Sequence, residues 1–355
     1  MNDDRTPKSS VPFTLSRRRP LAVSSKDLVA INIFDSTRGL PLVIDAQSND
    51  LDPIGWARAN RSALTAYLLQ HGAILLRGFA MNRPDQFRQL VESISGAALP
   101  YRERSSPRSR VMENVYTSTD YPSDRSILPH NEHSYATTFP QKLYFWCEIA
   151  AQQGGETPLA DTRRILARID PAVVKKFREK GWTYVRNYTP HFGLSWQTAF
   201  QTDNRARVEA YCKEASIEWE WTVHGLRTRQ TRPAITIHPV SNEPVWFNHA
   251  AFFHISSVEP DLRQQLLAMY DERDFPNHTY YGDGSPIEDE VVQHLREAYA
   301  HELVSFPWQK GDVVIIDNML TAHAREPYVG PRRILFAMAE PYTRTDPIGI
   351  NREVH

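Results

Sequence analysis

Two imidazoles and a carboxylate in this chain have the types and the order to share one metal ion. His130 and Glu132 lie in Leu128-Pro129-His130-Asn131-Glu132-His133-Ser134-Tyr135, and a third candidate ligand, His323, lies far downstream. An arginine pair, Arg332 and Arg333, follows it. Two histidines and one carboxylate take one face of a metal and leave the opposite face open. That arrangement suits ferrous iron, Fe(II), binding a chelating cosubstrate and O2. A nearby arginine can hold the far carboxylate of a 2-oxo diacid through a bidentate, charge-assisted pair. The chemistry expected of this set is oxygenation by iron with consumption of 2-oxoglutarate.

The His-x-acid pair by itself is a weak signal. With 13 His and 42 Asp plus Glu among 355 residues, about 1.5 such matches arise by chance, and there is one, at His130. Its weight comes from the residues that accompany it. Other histidines compete. His249 and His254 stand in an aromatic run from Trp246 to His254 and read as satisfied structural histidines. His133 is too close in sequence to serve as the distal ligand, and Pro129 and Pro140 discourage a helical pairing with His130. Asn248, Ser134 and Tyr135 read as loop packing, with approach to a substrate as the alternative.

Bulk properties narrow the classes. A formal net charge of −1 and the lack of a basic stripe interleaved with aromatics argue against a nucleic-acid partner. Two cysteines, Cys147 and Cys212, cannot build a disulfide framework or a structural zinc site, which fits a reducing cytoplasm. No signal peptide is evident, and no apolar run approaches bilayer length, so no membrane partner is expected.

The ligands must be held by strands. Residues 1–40 read as a polar arm containing Arg17-Arg18-Arg19-Pro20, residues 41–345 as one domain, and 346–355 as a tail. Helices are expected near 55–70 and 84–95, with a short buried strand at Ala73–Gly78 between them. Further strands are expected at Lys142–Ile149, Trp182–Val185, Ala234–Ile237, Asp312–Ile316 and Ile334–Met338. Helical patterns fall near 162–180, 204–215, 259–272 and 287–300. Strands at both ends of the site region with helices between them predict a β-rich α+β fold. Its core would be a double-stranded β-helix, or jelly roll, with flanking and inserted helices.

The ordered set resembles a known family. His130-x-Glu132, then Gly154-Gly155-Glu156-Thr157, then Gly311 through Asp317-Asn318 and His323, then Arg332-Arg333, is similar to the taurine dioxygenase (TauD/TfdA) family of iron(II)/2-oxoglutarate enzymes. The resemblance runs from about residue 70 to 340. It implies that His130, Glu132 and His323 bind iron. It also implies that Thr157 and Arg332 or Arg333 hold 2-oxoglutarate. Strand alternation sets Arg332, Ile334 and Phe336 on one face and Arg333, Leu335 and Ala337 on the other, and both faces continue apolar. An Arg-x-Leu pattern favours Arg333 and a Gly-x-Arg pattern favours Arg332; Arg333 is the expected clamp.

The resemblance also bears on the substrate. Sulfonate-binding members carry a second arginine four residues beyond the first; beyond Arg333 that position is Ala337, which argues against taurine. Related halogenases lack the carboxylate ligand, so Glu132 favours oxygenation. The segments around Glu132, Thr157 and Arg332 resemble a branch found beside nonribosomal peptide assembly lines. That resemblance implies hydroxylation of an amino-acid-like small molecule, free or tethered to a carrier protein, with desaturation or epoxidation as other outcomes. Two other classes compete. A cupin-type zinc hydrolase would leave the arginine and Thr157 without a role, and a non-catalytic jelly-roll binding module would leave the ligand set unexplained.

Overall fold

A computed structural model describes residues 28–101, 108–189 and 193–345. Residues 1–27 of the expected arm, including Arg17-Arg18-Arg19-Pro20, and the tail from 346 lie outside these. The arm is shorter than expected at its C-terminal end. Val29–Asp35 is a strand paired antiparallel with the strand Leu40–Ala46. Its alternation is hard to read in sequence because four of its seven residues are exposed on an edge.

An eight-stranded sheet organises the chain. Its order is Val29–Asp35, Leu40–Ala46, Ala73–Arg77, Val313–Asp317, Thr138–Ile149, Arg333–Thr343, Val115–Thr117 and Arg110–Met112. One pair, Leu40–Ala46 with Ala73–Arg77, is parallel, which requires a crossover, and the helices Pro53–Ala59 and Arg61–His71 supply it. The central strands are apolar on both faces, as a sheet covered on both sides must be. On one face Ile74, Leu76, Trp146, Val313, Ile315 and Leu335 pack against Leu64 and Leu68 and against Phe87, Leu90 and Ile94 of the helix Pro84–Ser95. On the other face Phe145, Cys147, Ile334 and Phe336 share a core with Leu159, Phe306 and Trp308.

Leu159 belongs to a second, three-stranded sheet: Ile127–His130, Thr321–Arg325, Leu159–Asp161. Pro129, which cannot donate to a ladder, sits in its edge strand. A four-stranded sheet, Glu218–Thr222, Gly225–Arg232, Trp182–Tyr188 and Asn277–Tyr281, and two smaller pairs complete the strands. Among the described residues no helix is long and apolar enough to cross a membrane.

Two expected helices are each split. The helix near 55–70 breaks at Asn60, whose side chain turns back to donate to the Trp56 carbonyl. The helix over 162–180 breaks at Ile169-Asp170 into Thr162–Arg168 and Pro171–Lys180. Pro171 pushes the residue before it out of the helical region, and the Asp170 carboxylate caps the new helix through the Ala172 amide.

The turn leading into Val313–Asp317 is tied to the sheet by charge. Arg77 Nε and Nη2 donate to the two oxygens of Asp312 at 3.0 and 2.7 Å, and the Gln309 amide also donates to Asp312. Asp312 is buried, and burial pushes its carboxyl pKa up while Arg77 opposes this. Arg77→Ala would leave that carboxylate without its cation. The expected loss of stability is about 3 kcal/mol, read by chemical denaturation. A loss below about 0.5 kcal/mol, the size of an ordinary surface change, would show that the pair does not hold the turn.

Candidate metal centre

Strand pairing brings the two histidines together. His130 and His323 are direct partners in the antiparallel register of the small sheet, with ring centroids 4.4 Å apart. Glu132 is two residues beyond His130, in the turn before Thr138–Ile149. One ligand atom from each of His130, Glu132 and His323 lies within 4.8 Å of the others.

Glu132 is aimed by Asn318. The fully buried Asn318 accepts the Glu132 amide through Oδ1 at 2.8 Å, and its Nδ2 donates to the Glu132 and Pro140 carbonyls. Asn131 Nδ2 returns a bond to the Asn318 carbonyl. The preceding Asp317 accepts the amides of Met319 and Leu320, turning the chain into the His323 strand.

The donors suit a divalent metal. His130 Nδ1 lies 2.9 Å from the Leu128 carbonyl; a carbonyl can only accept, so Nδ1 carries the proton and Nε2 is left for a metal. His323 Nδ1 is buried without a hydrogen-bond partner, and the ring rests on Phe145. Burial lowers the His130 pKa, against the opposing pull of Glu132. Burial and the neighbouring His130 hold that of His323 well below its ordinary value. Both rings are therefore neutral, as ligands must be. Burial works against the Glu132 carboxylate, but Arg108 and the nearby histidines hold its pKa below the ordinary value.

A cleft opens beside these side chains. His130, His323, Thr157, Arg108, Ser118 and Arg332 are among its lining. Thr157 is positioned by bonds on both sides, from Ala324 to Pro158 and from Glu326 to Glu156, and its hydroxyl accepts from Trp308 Nε1. Arg332 lies across Gly155, donating from Nε to the Gly155 carbonyl at 2.8 Å and from Nη1 to Ser118. Gly155 has a φ of +74°, and an added Cβ would come within 2.9 Å of Arg332. Here glycine serves both the turn and the approach of the arginine. Burial and the neighbouring Arg325 lower the Arg332 pKa to about 10, still a cation at neutral pH.

Arg333, the expected clamp, is elsewhere. Its side chain is 42% exposed and its Nε pairs with Glu148 at 3.0 Å. Both faces of the strand are apolar because both are covered, so alternation could not show which face holds the cleft; Arg332 lies just before the strand, and the register is irregular between Arg333 and Ile334. Ile334 lines the cleft with Arg332, while Ala337 packs toward the helices. Counted from Arg332, the position four residues on is Phe336, not Ala337.

The competing residues are occupied otherwise. His254 Nδ1 bonds to Ser256, and Asn248 bridges the Ala234 carbonyl and the Ala250 amide. His249 is closer to the ligands than expected: it bonds to Ser134, stacks on Phe253, and lies 5.8 Å from the His130 ring. Tyr135 is a core residue. Arg108 and Trp308 went unnoticed in sequence, since neither stands in a motif. Asn318 was visible within Asp317-Asn318, but nothing local showed its partners.

The profile of the taurine catabolism dioxygenase TauD, TfdA family matches residues 36–339. The dapdiamide synthesis protein DdaC of Enterobacter agglomerans is 44% identical over 275 residues, covering 77% of this chain and 84% of that protein. A clavaminate synthase-like protein of Arabidopsis thaliana is 31% identical over 296 residues, covering 80% and 86%. Among solved structures, PvcB of Pseudomonas aeruginosa shares the fold with a TM-score of 0.53 at 16% identity, covering 90% and 93%. By sequence match and fold alike, the chain belongs to the TauD/TfdA family and is an Fe(II)- and 2-oxoglutarate-dependent dioxygenase.

Proposed function

We propose that this dioxygenase hydroxylates a carbon of an amino-acid-derived small molecule in a biosynthetic pathway. The observation that carries the reading is the cleft itself. His130 and His323, which meet Glu132 in the ligand cluster, line it together with the half-buried cation of Arg332. The 44% identity to a dapdiamide synthesis protein supports the biosynthetic setting. A carrier-bound form of the substrate stays within the proposal. The eight-stranded and three-stranded sheets, packed face to face through Phe145, Ile334 and Leu159, would form the double-stranded β-helix core.

Iron(II), with 2-oxoglutarate and O2, supplies the oxidising power for attack on an unactivated carbon. The chain supplies position. His130, Glu132 and His323 would hold the metal. Arg332 takes the far carboxylate of 2-oxoglutarate, with Thr157 and Ser118 beside it. Phe145 and Ile334 line the cleft and exclude water, which strengthens the charge interactions inside. Glu132 keeps the carboxylate position filled, which favours oxygen transfer over delivery of a bound halide.

His130→Ala, Glu132→Ala and His323→Ala should each abolish turnover and weaken ferrous binding in an anaerobic iron titration, while His254→Ala should bind iron as the parent does. Full iron binding without His323 would sink the ligand assignment. Arg332→Ala should raise the 2-oxoglutarate concentration needed by roughly ten- to a hundredfold, the worth of about 1.5–3 kcal/mol for a charge-assisted pair. Arg333→Ala should change it little. The reverse ranking would place the clamp on Arg333. For the reaction itself, enzyme, iron and 2-oxoglutarate are incubated with taurine, free amino acids and aminoacyl carrier protein in chloride buffer. A product heavier by one oxygen from an amino-acid substrate is expected; tight coupling to taurine, or a chlorinated product, would overturn the substrate or reaction assignment.

A further inference from the structure

Arg108 is a buried cation that the metal ligands and the Arg332 clamp leave unexplained. It stands just before the strand Arg110–Met112 and is 6% exposed. Its guanidinium carbon lies 4.0 Å from the centroid of the Phe336 ring and 5.1 Å from that of Tyr101. Nη2 donates to Glu132 Oε2 at 2.8 Å. Nε and Nη1 are buried and have no hydrogen-bond partner. The side chain lines the same cleft as His130, His323 and Arg332.

These facts do not describe a simple ion pair. A guanidinium presents five N–H donors in one rigid plane. The Phe336 and Tyr101 rings hold that plane, one nitrogen donates to Glu132, and the Tyr101 side chain hydrogen-bonds with both. The remaining donors are kept from water beside the cleft. The charge balance agrees. Arg108, Arg325 and Arg332 all line the cleft. The hydrogen bonds of Arg325 and Arg332 go to backbone carbonyls and to Ser118, so Glu132 answers one positive charge of the three. A cleft with surplus cations and low-dielectric walls selects anions.

We propose that Arg108 binds a carboxylate at the metal end of the cleft, holding Glu132 with Nη2 and the carboxylate of a bound organic acid with its other donors. The inference rests on the metal and Arg332 assignments above. Two acids could present that group. A 2-oxo diacid anchored on Arg332 has its second carboxylate at the metal end. A carboxylic-acid substrate lying beside the metal offers the same chemistry.

Anaerobic titration of the iron-loaded full chain separates them. The probes are 2-oxoglutarate; pyruvate, which keeps the 2-oxo acid end without the far carboxylate; and a panel of free amino and dicarboxylic acids added to the iron–2-oxoglutarate protein, followed by visible absorption. Arg108→Lys keeps a charge for Glu132 but lacks the planar fork, and Arg108→Gln removes the charge. Arg108→Lys should bind iron like the parent and show at least about a tenfold loss of affinity for one class of probe. If the cosubstrate is the source, 2-oxoglutarate and pyruvate weaken together, whereas Arg332→Ala weakens 2-oxoglutarate alone. If the substrate is the source, both are unchanged and the panel acids that perturb the parent spectrum lose their effect. Either result supports the proposal. Parent-like affinity of both Arg108 variants for 2-oxoglutarate, pyruvate and every active panel acid would overturn it and leave Arg108 as a partner of Glu132 only. Failure of the parent to bind iron, or unchanged 2-oxoglutarate affinity in Arg332→Ala, would instead bring down the underlying reading, and this proposal with it.

Discussion

Asn318 stands where the large sheet gives way to the strand bearing His323, and its side-chain amide reaches back to Glu132 and Pro140. It donates twice and accepts once, and it is fully buried, so each bond is costly to lose. Through it, the turn carrying the carboxylate is locked to the strand carrying the distal histidine. The direct pairing of His130 with His323 sets the distance between the imidazoles, and Asn318 sets the angle from which the carboxylate joins them. Core packing makes this rigid. Phe145 touches both the His323 ring and Phe336, so the metal end of the cleft is continuous with the core between the two sheets.

The electrostatics follow from burial. Imidazoles removed from water and placed beside one another stay neutral, which leaves their nitrogens available to a metal. A carboxylate in the same place would take up a proton were it alone. Arg108 reverses that tendency and keeps Glu132 charged. At the other end, Arg332 stays a cation because guanidinium begins from so high a pKa that burial cannot neutralise it near pH 7. The cleft thus offers two candidate metal-binding histidines together with fixed positive charge.

Legibility in the sequence varied with how local each cause was. The strands Ala73–Arg77 and Val313–Asp317 showed as short apolar runs because both faces are covered. The split helices depended on Asn60 and Asp170-Pro171, which are local signals that an apolar period masks. The edge strand Val29–Asp35 was missed because an exposed edge has no burial pattern to impose.

The sequence by itself determined the kinds of groups available: His130, Glu132 and His323 as candidate ligands, Gly155 and Thr157 in a turn, and an arginine after the distal histidine. Residue chemistry and order along the chain suffice for that. Tertiary structure alone decided which arginine faces the cleft, because Arg332 lies just before the strand that Arg333 opens, and both faces of that strand are buried further along. It alone brought Arg108 to Glu132 and Asn318 to the same turn. Those contacts join segments distant in the chain, and no local pattern encodes a partner that only folding brings within hydrogen-bond reach.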